Sequence, residues 1–123
     1  MFADGEEAAF DQVVAVDLKG VFLAMKYEIQ HMLKAGGGAI VNNASIAGMI
    51  AEAGISSYVA AKHAVIGLSR AAAIEYASQG IRINALAPGL VETGMTKHWF
   101  ADDKIRASLV GRHRSAAPRN LKR

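Results

Sequence analysis

The order of its hydrophobic patterns constrains this chain most. Two short apolar runs, AIVNNAS at residues 39–45 and IRINALA at 81–87, flank a segment of helical character at 57–78. Short apolar runs rich in β-branched residues read as strands, and a long segment recurring at three and four reads as a helix. Two strands joined through a helix run parallel, so the chain predicts one βαβ unit. A further helical pattern comes first. Phe10, Val13, Val14, Leu18, Val21, Met25, Ile29 and Met32 recur at helical spacing over 6–34, and Val16, Phe22, Leu23 and Leu33 add apolar surface off that stripe. So much apolar circumference predicts burial on more than one side. Gly36, Gly37 and Gly38 stop this helix. The fold class is α/β, and a buried parallel sheet is expected. Two strands do not make a stable sheet alone, so the expected sheet is partial.

The segments between are read as connections. IAGMIAEAGIS (46–56) is expected to be a loop, a serine near residue 57 starts the second helix, and Gly80 ends it. PGLVETGM (88–95) is a turn leaving the second strand. Beyond Trp99 and Phe100 the periodicity weakens; 101–110 has the pattern of a short helix and 111–123 has none. The domain assignment is therefore 1–110, with 111–123 an irregular tail.

Charge divides the chain after residue 100, where the periodicity weakens. Residues 1–100 carry seven Lys/Arg against nine Asp/Glu, and 101–123 carry seven against two, so the net +3 arises entirely in the tail. A basic tail suits nucleic acid or an anionic surface. It equally suits a solvated end, and the acidic body and absence of interleaved aromatics favour that reading, with neither nucleic acid nor membrane as partner. The chain has no cysteine, which excludes disulfides and thiolate metal ligands. MFADGEEAAF lacks the basic start of a secretory signal, and no apolar run approaches the ~20 residues of a membrane span. A soluble cytoplasmic protein is expected.

Chemistry gathers at one rim of the expected sheet. Tyr58 and Lys62 stand four apart, which stacks a phenol and an ammonium on one helix face. Ser45 closes the first apolar run, thirteen residues earlier, and Pro88, Gly89 and Thr93 follow the second. Ligands of open α/β sheets bind outside the carboxyl ends of the strands, where all these residues fall. Each has a plainer reading: a core tyrosine with a snorkelling lysine, a serine ending a strand, an ordinary turn. His63 points away from the pair, and His31, His98 and His113 lack metal-ligand spacing. Trp99 and Phe100 suit the cap of an apolar pocket or core packing equally.

Taken together, GGGAIVNNASIAGMIAEAGISSYVAAKHAVIGLSRAAAIEYASQGIRINALAPGLVETGM resembles the later half of a short-chain dehydrogenase/reductase, and VVAVDLKGVFLAMKYEIQHML extends the likeness, so that it covers residues 8–100. The resemblance implies part of a Rossmann-like, doubly wound parallel sheet. It implies a proton exchanged with the substrate oxygen by Tyr58, whose ionisation Lys62 and a bound oxidised nicotinamide would favour. Lys62 would also bind the nicotinamide ribose, and Ser45 would hold the substrate oxygen. Pro88 and Gly89 would shape a turn against the nicotinamide, and the Val91 backbone and Thr93 hydroxyl would take its carboxamide or phosphate. The implied cofactor is NAD or NADP, and the implied reaction moves a hydride between it and a secondary alcohol or carbonyl. The two long helices would pair with those of a second copy, making a homo-oligomer.

Three features depart from that pattern. No glycine-rich turn opens a helix, since KAGGGAI precedes a strand, so the pyrophosphate cradle is missing and the choice of NAD or NADP is unreadable. Asp17 stands where the family's active-site asparagine is expected. It falls within the apolar stripe, so it is expected to face inward, to pair with Lys62 if it faces it, and then to cancel part of the help Lys62 gives Tyr58. GRHRSAAPRNLKR does not resemble the family's continuation and reads as a truncated or out-of-frame end. The alternative function is therefore a non-catalytic remnant that serves only in self-association or interaction.

Overall fold

A computed structural model describes residues 2–91, 93, 94, 96, 97 and 101. The chain forms two units, Met1–Pro88 and Gly89–Arg123, each treated by itself. In the first, a short 3-10 turn at Phe2–Asp4 leads into helix α1 (Glu7–Val14), a π-helical turn at Ala15–Lys19, and helix α2 (Gly20–Ala35). Strand β1 (Gly38–Asn43), a 3-10 turn at Ile46–Gly48, helix α3 (Ser56–Tyr76), a third 3-10 turn at Ala77–Gln79 and strand β2 (Ile81–Leu86) complete it.

The single helix expected over 6–34 is thus interrupted. The Gly20 N–H reaches back five residues to the Ala15 carbonyl instead of four. Such π turns are rare and occur mostly within longer helices. Apolar spacings of three and four run straight through this one, which is why periodicity does not reveal it.

The glycine triplet sets the sheet. Gly36 closes α2 in the left-handed region at φ 86, with its N–H on the Met32 carbonyl. At Gly37 a Cβ would lie 2.7 Å from the Gly80 carbonyl oxygen, so only glycine allows the two backbones this approach. The Gly38 N–H donates to that same oxygen at 3.1 Å. The two chain segments are pinned where their strands begin, and β1 and β2 run parallel in register from Gly38 opposite Ile81 to Asn43 opposite Leu86.

Helices pack on one face of this pair. Met25 and Ile29 of α2, Ala72 of α3, Ile40 of β1 and Ile81 and Ile83 of β2 form one apolar cluster. Ala44, Val65 and Ile66 form another, flanked by Leu18, Val21 and Ala85. Val65 is fully buried, which stabilises the fold by about 1.5–3 kcal/mol. Within this layer the Asn42 amide donates to Ser69 Oγ at 2.9 Å and meets Met25 Sδ at 3.1 Å, and Ser69 donates to the Val65 carbonyl at 2.7 Å. A buried polar trio therefore ties β1, α2 and α3 together.

Three expectations need correction. The strands are not buried on both faces: burial alternates along each, and Val41 is exposed on the uncovered side. Described helices cover only one face, which is the reason. The first helical segment buries one stripe rather than several, with Phe10, Val16, Phe22, Leu23 and Leu33 exposed. No serine caps α3: Ile55 occupies the cap without a side-chain bond. No helix among the described residues is long and apolar enough to cross a membrane. Trp99, Phe100, His98, His113 and the tail at 111–123 lie outside the described residues.

Candidate active site

Alanines explain why α3 lies so close to the strand ends. Ala61 and Val65 turn inward, and the first turn's Tyr58 and Lys62 share the face beside them. Neither is sealed in the interior; both are half-buried. The Lys62 ammonium sits 5.4 Å from the Tyr58 ring centroid, within range of a cation–π attraction. It donates to the Asn43 carbonyl, the last of β1, at 3.4 Å. On its other side Asp17 Oδ1 stands 3.9 Å away. Lys62 is 12% exposed and Asp17 29%, so the ammonium is the more enclosed partner and the carboxylate lies toward solvent. Asp17 is turned more toward solvent than the inward placement expected from the apolar stripe, yet it faces Lys62, so the pairing that depended on this forms, and it is the π turn that carries Asp17.

Ser45 lies two residues beyond the end of β1, not within the strand as the apolar run suggested. It is extended and half-buried, and its Oγ accepts from the Ala47 N–H at 3.2 Å, which caps the 3-10 turn. The pairing of the strands persists past their ends. The Ala44 N–H donates to the Leu86 carbonyl and the Ile46 N–H to the Pro88 carbonyl, each at 2.9 Å. Ser45 thus sits between two residues tied to the exit of β2, and Pro88 shares its rim.

Gly48 fixes the turn against α3. A Cβ there would lie 2.6 Å from the Lys62 carbonyl oxygen and 2.8 Å from Ile66 Cδ1. The backbone that follows Ser45 therefore rests directly on the backbone of Lys62. The sequence reading passed over Gly48, although an isolated glycine three residues after a polar rim residue is the signal of a close approach. It also passed over the Asn43 carbonyl, which no side-chain motif can reveal.

Gly89, Val91 and Thr93 belong to the second unit. There the Thr93 N–H donates to Thr96 Oγ1 at 2.8 Å, and Thr96 donates its hydroxyl to the Val91 carbonyl at 2.7 Å. A hydroxyl has one proton, so the 3.1 Å contact between the two threonine oxygens is donated by Thr93. The Thr93 hydroxyl expected to meet a ligand is engaged in a local cap, and Thr96 is its unforeseen partner. Two threonines three apart after a glycine turn carry that signal. Among the described residues no three His, Cys, Asp or Glu side chains cluster as a metal set requires.

Comparisons with known proteins agree on one group. The family model described as short chain dehydrogenase matches residues 1–104. The cyclohexanol dehydrogenase of Acinetobacter sp. (strain SE19) is 50% identical over 101 residues, which is 82% of this chain and 40% of that protein. The cis-4-hydroxycyclohexanecarboxylate dehydrogenase of Sinomonas cyclohexanicum is 47% identical over 105 residues, 85% of this chain and 41% of that one. A gluconate 5-dehydrogenase from Burkholderia cenocepacia, solved with NADP and tartrate, superposes with a TM-score of 0.84 at 31% identity, over 90% of this chain and 44% of that one. The chain spans about two-fifths of the length of the curated relatives it matches.

Proposed function

The chain belongs to the short-chain dehydrogenase family, and from that membership and the geometry at its rim we propose that it carries the proton-transfer and nicotinamide-binding end of an NAD(P)-dependent oxidoreductase acting on a secondary alcohol or carbonyl. The observation that carries the reading is the Lys62 ammonium, held between the Asn43 carbonyl and the Tyr58 ring at the carboxyl ends of both strands. A cytoplasmic setting and a homo-oligomer formed through the long helices belong to the same reading.

The residues fit one end of the cofactor. Lys62 has three N–H donors; the Asn43 carbonyl takes one and Asp17 attracts a second, which leaves one for a ribose hydroxyl. Among the described residues the pyrophosphate end has no counterpart: the Gly36–Gly38 triplet is spent on the approach to Gly80 and opens a strand, not a helix. When bound, the nicotinamide supplies or takes the hydride at the carbinol carbon. Tyr58 exchanges the accompanying proton with the substrate oxygen, and Ser45, lying on the same rim, orients that oxygen by a hydrogen bond. Pro88 and Gly89, and beyond them Val91 and Thr93, are proposed to border the nicotinamide.

Reduced nicotinamide mononucleotide tests this directly, because it contains only the end these residues fit. Its fluorescence should respond saturably to the chain, as should that of NADH, and Lys62→Met should weaken both about tenfold or more, the worth of a charged hydrogen bond. Tyr58→Phe should leave binding intact and lower turnover of a secondary alcohol roughly 10²–10⁴-fold. Absence of binding by either nucleotide, or wild-type turnover by Tyr58→Phe, would refute the reading. The second reading, an association module without chemistry, draws on the exposed Phe22, Leu23 and Ile74 and would then take its place.

A further inference from the structure

Strand β2 is paired on one side only. The carbonyls of Gly80 and Leu86 accept from the N–H groups of Gly38 and Ala44, so the even-numbered residues of β2 bond toward β1. Ile81, Ile83 and Ala85 alternate with them and turn their N–H and C=O groups the other way. Among the described residues no strand pairs with that side and no backbone group bonds to it. An unpaired row of this kind is a template for a further extended segment. The edge is also recessed. A cavity of about 410 Å³ opens between Ala73, Ala77, Ile81 and Ile83, and one of about 330 Å³ continues it between Ala73, Ile83 and Ala85. Ala73 and Ile83 line both, so the two form one groove beside β2. The alanines on its helical wall leave room for the side chains of a docked strand. A guanidinium borders each part: Arg82, on the uncovered face of the sheet, lines the first and Arg70 of α3 the second. Both are exposed, and neither has an ion pair or hydrogen bond among the described residues.

The chemistry of the edge selects its occupant. Donors and acceptors alternate along it. A phosphate or carboxylate only accepts and would leave the carbonyls unserved, whereas a peptide strand serves both. A second copy of β2 would bring its own Arg70 and Arg82 into the same groove, like charge against like. A strand that carries carboxylates meets neither obstacle. From this we infer that the open edge of β2 is a docking site for an extended acidic peptide, which adds as a strand, sets apolar side chains against Ala73 and Ala77, and brings carboxylates to Arg70 and Arg82. The inference is independent of the oxidoreductase reading and needs no nucleotide.

A fluorescein-labelled hexapeptide of alternating glutamate and valine tests the docking on the full chain. Its anisotropy should rise saturably, and the same peptide with lysine in place of glutamate should bind about tenfold more weakly or worse. Arg82→Glu and Arg70→Glu should each weaken the glutamate peptide about fivefold, and because both side chains are exposed neither change removes a core contact. Amide hydrogen exchange supplies a readout that charge attraction alone would not move. Bound peptide should slow Ile81, Ile83 and Ala85 and leave Arg82 and Asn84, which face β1, unchanged. No binding, equal binding of the lysine peptide, or slowed exchange without this alternation would overturn the inference. So would a dimer that slows the same three amides without peptide, which would give the edge to a second copy. A peptide-free monomer in which they are already slow would overturn it too, and would give the edge to the chain itself.

Discussion

Asp17 and Lys62 show how far a single position can be read. The apolar stripe placed Asp17 on the inward side, and pairing with Lys62 was the natural resolution of a carboxylate there; the 3.9 Å separation agrees. The stripe could not show that a π turn presents it, nor that the Asn43 carbonyl shares the ammonium. Because the pair is partly open to water, its energy is small, about 0.2–1 kcal/mol. A double-mutant cycle of Asp17→Asn and Lys62→Met in chemical denaturation should return a coupling in that range. A coupling near zero would mean that the two charges share a neighbourhood without stabilising each other.

At the scale of elements, what the sequence discloses and what it conceals follow from where the information lies. The two strands, the helix between them and the glycine stops are properties of local pattern, and each is found within about two residues of its expected bounds. Contacts between backbones are not local. Gly48 lies in what reads as plain loop, yet the approach of the 3-10 turn to α3 depends on it. Gly48→Ala should force the turn off the Lys62 carbonyl and cost about 1–3 kcal/mol, seen as a lowered denaturation midpoint. Lys62-dependent nucleotide binding should weaken with it; a variant as stable as the parent would show that the turn can slide without cost. The Asn42–Ser69 bond is equally invisible, since NNAS reads as the end of an apolar run. Ser69→Ala leaves the buried Asn42 amide with only Met25 Sδ, and about 1–3 kcal/mol of destabilisation is expected in the same assay.

For the first unit as a whole, the open question is what its uncovered surfaces do. A parallel sheet is ordinarily covered on both faces, but here the described helices cover one and Val41 stands exposed on the other. The helical layer is itself apolar outside: Phe10, Phe22 and Leu23 on the first helices and Ile74 on α3 all face water. Both surfaces favour association, and they predict different responses to charge. If the helices form the interface, Phe22→Glu combined with Ile74→Glu should shift the sedimentation of the chain toward monomer at micromolar concentration, while Val41→Lys leaves association intact. The helical face carries the larger apolar side chains, including an aromatic pair, so each charge placed there removes more buried area than one placed at Val41. Dissociation by Val41→Lys alone would instead assign the contact to the sheet, because a lysine on that face disfavours stacking and leaves the helices untouched. A chain that sediments as a monomer before any substitution would remove both interfaces at once.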